Sequence, residues 1–287
     1  MVYNSPRWHS TTPVTGNNIS LMKGETTPYK TLSIRISTDG FCFCTYTASD
    51  PDTVQIHFYR TDNDITLYAN LCKAIEECPL TLDNVNEVKA IIVTGDFTTI
   101  PAEYDNKNRH KIFYRSCFPK ADTNVEIIAN RLTAQNITLL FPVEKNIYNR
   151  LAQMGNVTYY TPASIILGYI ACHPFDSDRY MLAYYMNEGS LLVSMNSGKV
   201  ELINSFPTAD NHNQLYYLLA IWKAQGLSQT TDKLYLCGNK RVEELTGAIS
   251  QFIRNRERIN PTELFTPNLL NKIGETPFDI QALLLCE

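Results

Sequence analysis

From Thr31 onward, apolar and polar positions alternate, with Leu32, Ile34 and Ile36 on one side of an extended segment. This is the period of a β-strand. Asp39-Gly40 is a tight hairpin signal, so Phe41 to Tyr46 is the expected return strand, and Val54 to Tyr59 repeats the period as a third. The spacing then becomes helical. Ile65, Tyr68, Ala69, Leu71, Cys72 and Ile75 follow Asp64, a candidate N-cap, and Pro79 stops the run. Glu87 to Thr94 contains Ala90-Ile91-Ile92-Val93 and ends at Gly95, as expected of a strand covered on both faces. The order is β-β-β-α-β.

Lys107 to Cys117 predicts a second helix, Val125 to Asn130 and Ile137 to Pro142 two strands, and Glu144 to Met154 a third helix. A short strand at Val157 to Tyr160 precedes a helix from Pro162, which suits a first turn and leads Ile165, Ile166, Tyr169 and Ile170. His173 to Asp178 is the most linker-like stretch in mid-chain. Beyond it the opening pattern returns. Tyr180 to Met186, Ser190 to Met195 and Lys199 to Phe206 form a second meander, Asn213 to Ala224 a helix, and Lys233 to Cys237 a buried strand ending in Gly238-Asn239. We therefore expect an irregular segment over 1–28, a first lobe over 29–175 and a second over 176–287.

Two β-β-β-α-β copies joined by a helix resemble the duplicated actin-like ATPase (ribonuclease H-like) fold, an α/β architecture of two lobes each with a mixed sheet. From about Tyr29, including Leu32-Ser33-Ile34-Arg35-Ile36 and the terminal Cys286-Glu287, the chain is also similar to a family of Bacteroides-type bacteria known mainly as a domain of unknown function with this fold. The wider resemblance implies a cleft in which two Asp-x-Gly-Ser/Thr hairpins hold the phosphates of Mg-ATP.

Here those hairpins depart from the pattern. In Ser37-Thr38-Asp39-Gly40-Phe41, threonine stands where the acid belongs and phenylalanine where the hydroxyl belongs; Asn187-Glu188-Gly189-Ser190 keeps glycine and hydroxyl but replaces the acid with asparagine. The adenosine strand runs into only one glycine, at Gly238-Asn239. Were a nucleotide to bind, Asp39, Gly40, Asn187, Gly189, Ser190, Gly238 and Asn239 would be its contacts. No residue is assigned to catalysis. The departures favour a non-catalytic module that binds a protein partner and carries no cofactor. The alternative is a conformational switch that binds or weakly hydrolyses ATP with magnesium; a small-molecule kinase ranks third, because no base and metal carboxylates can be placed.

Composition narrows the choice further. The chain has 287 residues, of which 44% are hydrophobic, enough for a sizeable core. A net charge of -4 gives no general attraction to nucleic acid or anionic membranes. The basic run Arg254-Asn255-Arg256-Glu257-Arg258 is expected to be a solvated helix end. Without a secretory pattern or a long apolar stretch, we expect a cytoplasmic protein with no membrane span and the eight cysteines as thiols. Their spacing offers no zinc site, and the five scattered histidines suggest none either. The paired tyrosines, such as Tyr159-Tyr160, Tyr184-Tyr185 and Tyr216-Tyr217, are expected to put one ring in and one out when on strands, leaving interface material exposed.

Overall fold

A computed structural model describes residues 29–47, 50–82, 85–260 and 265–286. The irregular segment expected over 1–28 lies outside them. Strands β1 (Lys30–Ser37), β2 (Gly40–Thr47) and β3 (Asp50–Arg60) form the first meander, followed by α1 (Leu67–Glu77) and β4 (Glu87–Ile92). Thr66, not Asp64, caps α1: its hydroxyl accepts from the Ala69 amide, while the Asp62 carboxylate takes the Asp64 amide into a preceding turn.

Next come β5 (Thr98–Pro101), two short 3-10 turns, α2 (His110–Cys117), β6 (Val125–Leu132), β7 (Ile137–Glu144), α3 (Lys145–Ala152), β8 (Val157–Tyr160) and α4 (Pro162–Cys172). The second meander is β9 (Arg179–Tyr185), β10 (Ser190–Asn196) and β11 (Lys199–Phe206). It is followed by α5 (Asn211–Ala224), β12 (Lys233–Gly238), α6 (Arg241–Ile249), β13 (Arg256–Arg258), α7 (Pro267–Ile273) and α8 (Phe278–Leu285). The Arg254–Arg258 run is thus not a helix end. Arg256 to Arg258 add a parallel edge strand to β12, and since all three are exposed, their backbone pairing rather than burial sets the structure.

The two main sheets share one strand order, β3-β2-β1-β4-β8 and β11-β10-β9-β12-β13, and β5-β7-β6 forms a third, smaller sheet. In both main sheets the first strand pairs antiparallel with the second and parallel with the fourth. Helix α4 is apolar and buried nearly all round, as a helix between two sheets must be. It packs against α8, where Tyr169 meets the edge of Phe278 at 5.2 Å. From Pro267 the chain returns to the first sheet, laying α7 against β3.

Strand alternation divides the second sheet between two cores. Tyr180, Leu182 and Tyr184 face the core shared with α4 and the first sheet, while Met181, Ala183 and Tyr185 face the one closed by Leu218, Trp222 and Leu245. The expectation that one of Tyr184 and Tyr185 is exposed therefore fails, because both faces of β9 are covered. All eight cysteines are thiols, and among the described residues no helix is long and apolar enough to cross a membrane.

Candidate functional site

The two meander hairpins point at each other across the space between the sheets. In the first, Thr38 and Asp39 make the turn and Gly40 starts β2 opposite Ser37. Gly40 is required by close approach and not by turn conformation, since a Cβ there would lie 2.7 Å from the Tyr59 carbonyl oxygen. In the second, Met186 to Gly189 connect Tyr185 to Ser190, and the Met186 amide donates to the Gly189 carbonyl at 2.8 Å. Gly238 ends β12 with φ +119, and a Cβ on it would meet the Tyr185 carbonyl oxygen at 2.0 Å.

Three of the residues singled out from sequence form one chain of bonds. The Asn187 side-chain amide donates to Asp39 Oδ2 at 2.7 Å, and the Asn239 amide donates to Asn187 Oδ1 at 2.8 Å. Asn239 Oδ1 also accepts from the Arg241 amide as α6 begins, and Arg241 Nη1 reaches the Met186 carbonyl at 3.1 Å. The two hairpins and the end of β12 are therefore joined by the protein's own side chains. Ser190 sits beside this chain with its hydroxyl buried and unpartnered among the described residues.

Sequence reasoning missed the lower layer. Ser37 Oγ contacts Asp39 Oδ1 at 2.7 Å and also Glu188 Oε1 from the opposite hairpin. Glu188 Oε1 lies 3.5 Å from Arg35 Nη1, and Arg35 Nε binds Asp279 of α8 at 3.1 and 2.9 Å. The Asp279 amide in turn donates to Tyr184 Oη of β9 at 3.4 Å. Residues from β1, the second hairpin, β9 and α8 thus meet at one buried point. The only sequence signal was a charged residue inside a strand whose positions from Thr31 to Ser37 are otherwise hydroxylated or apolar.

The titration behaviour follows from this geometry. Burial tends to push Asp39 up, but hydrogen bonds from Ser37 and Asn187, the contact with Glu188 and the charge of Arg35 hold it below the ordinary carboxylate range. For Glu188 burial dominates; Arg35 and Ser37 oppose it, Asp39 adds to it, and the carboxyl stands above its ordinary value. Ser37 has one hydroxyl hydrogen for two carboxyl contacts, so it donates to only one of Asp39 and Glu188 at a time. Burial also opposes the charge of Arg35, but Asp279, then Tyr184 and Glu188, keep the guanidinium charged. Among the described residues no three His, Cys, Asp or Glu side chains converge as metal ligands.

A family model described as "Protein of unknown function (DUF3822)" matches residues 20–255. Among solved structures, a Bacteroides thetaiotaomicron VPI-5482 protein with an actin-like ATPase fold and unknown function is 26% identical, with a TM-score of 0.75 over 93% of this chain and 100% of that one. A PilM-PilN type IV pilus biogenesis complex is 12% identical, with a TM-score of 0.55 over 89% and 97%. No curated protein matches. The chain has the actin-like ATPase fold.

Proposed function

The chain belongs to the DUF3822 family of proteins of unknown function, and from that premise we propose a non-catalytic protein-binding module whose two hairpins grip each other in place of a nucleotide. The observation that carries this is the Asn187 to Asp39 hydrogen bond between hairpins. A phosphate entering there meets the ionised Asp39, while Arg35, the cation whose charge acts on Asp39, is engaged by Asp279 and Glu188. Phe41 stands where the first hairpin would offer a hydroxyl. The residues present thus fit Mg-ATP poorly, and no reaction step is assigned. The PilM-PilN structure is a complex; we take assembly with another protein as the use of the fold here too.

A second reading, a conformational switch that holds ATP and magnesium, draws on Ser190, whose buried hydroxyl has no partner among the described residues. In that reading Ser190 would face phosphate and Asp39 the metal. Thermal unfolding with and without millimolar ATP and magnesium separates the two, because ligand at 100 times its Kd adds about 2.7 kcal/mol. An unchanged midpoint is expected. A rise that disappears in Asp39→Ala would replace the module with the switch.

A further inference from the structure

We infer that the outer face of α2 is the docking surface for an acidic segment of a protein partner, an inference that rests on the protein-binding reading and gives it a place and a chemistry. Helix α2 belongs to the unit built on β5, β6 and β7 between β4 and β8, whereas the second sheet has only α6 between β12 and β13. The unit breaks the duplication, so its surface is additional to the repeated architecture.

The inner side of α2 packs on the protein. His110 Nε2 contacts Asp105 Oδ1 at 2.6 Å, Asp105 Oδ2 accepts from the buried Thr138 hydroxyl at 2.9 Å, and buried Tyr114 stacks on Phe118. The outer side is basic. Lys107, Arg109, Lys111, Arg115 and Lys120 are all exposed, with no Asp or Glu between Asp105 and Asp122, in a chain of net charge -4. Lys111 reaches Glu126 at 3.7 Å; Lys107, Arg115 and Lys120 have no carboxylate within 4.0 Å among the described residues. In the midst of this charge Ile112 is 61% exposed, and Arg109 lies 5.5 Å over the half-buried Phe113 ring.

This arrangement works against the helix that carries it. Lys111 and Arg115 stand four residues apart on the helix, where like charges repel, and Lys111 lies in its first turn, where the backbone dipole disfavours cations. A partner carboxylate beside each would relieve both costs, and an apolar partner side chain would cover Ile112. A membrane fits less well, since interfacial helices insert a broad apolar face and α2 spends its own on the sheet beneath. Nucleic acid fits less well on so short a basic track in an acidic chain.

The test is fluorescence anisotropy of the full chain with a short labelled peptide of alternating Asp and Glu around a central Leu-Phe. Its Asn/Gln counterpart, phosphatidylserine-containing vesicles and a single-stranded oligonucleotide are titrated alongside. The acidic peptide alone is expected to bind, and Lys111→Glu with Arg115→Glu is expected to weaken it about tenfold. Ile112→Ser provides a second, uncharged check and is also expected to weaken it, while an unchanged unfolding midpoint shows that either variant is folded. Absence of peptide binding, equal binding by the variants, or preference for vesicles or oligonucleotide overturns the surface. That result with an ATP-insensitive midpoint leaves the module reading standing, whereas an ATP-induced rise overturns the module whatever the peptide does.

Discussion

Replacing Arg35 by Met should be among the most damaging single changes in this protein. Asp279 has no exposed surface, and its carboxylate meets the Arg35 guanidinium at 2.9 and 3.1 Å. The substitution keeps much of the side-chain volume but leaves a fully buried carboxylate without its cation, and breaking a buried pair in this way costs about 3–5 kcal/mol. The pair as a whole is worth far less, because both ions were desolvated to make it. Arg35→Met combined with Asp279→Leu should therefore return to within about 1 kcal/mol of the parent, or above it. Urea unfolding at neutral pH, followed by far-UV circular dichroism and by the fluorescence of buried Trp222, gives all four corners of the cycle. A loss below about 1 kcal/mol in Arg35→Met, or a double variant as unstable as the two singles summed, would refute the reasoning.

The remaining predictions concern the rim of the same site and the small sheet. Glu188→Gln should flatten the pH dependence of stability above the ordinary carboxyl value of 4.5. A raised native pKa contributes stability that is complete below the unfolded value and is lost as pH rises through the native one, and Gln does not titrate; urea midpoints across that range are the check. Asp39 acts with the opposite sign: its depressed native pKa contributes above the ordinary 3.8 and is lost as pH falls, so Asp39→Asn should improve relative stability in acid. Gly238→Ala should cost more than about 1 kcal/mol and more than Gly198→Ala, because φ is positive at both but only Gly238 meets a carbonyl. His110→Ala, which removes a bond to a carboxylate, should cost about 1.5–3 kcal/mol and show up as faster hydrogen exchange in α2.

The repeated meander was legible because its strands alternate in period and its turns carry glycine at matching points. The resemblance named Asp39, Asn187 and Asn239 only as contacts of a nucleotide were one to bind; in the structure their side chains bond to one another. What the sequence reading missed was governed by contact rather than pattern. Arg256 to Arg258 have no buried face, so nothing in their side chains marks a strand. Tyr184 and Tyr185 alternate as expected, but whether the second face is covered depends on α5 and α6 folding over it. Thr66 displaces Asp64 as cap because Asp62 turns the chain two residues too early for the latter. Arg35 and Asp279 stand 244 residues apart, beyond the reach of any periodicity.

That separation also sets a clock. A chain emerging from the ribosome presents β1 long before α8, and at about 5–20 residues per second roughly 12–50 s pass between the synthesis of Arg35 and that of Asp279. Throughout that interval the Arg35 guanidinium lacks its main partner, Glu188 arriving only partway through, and α4 lacks the helix that packs against it. Completion of the fold is thereby timed to the arrival of a single helix, and a chain interrupted before it carries a charged, sticky surface that quality control can recognise.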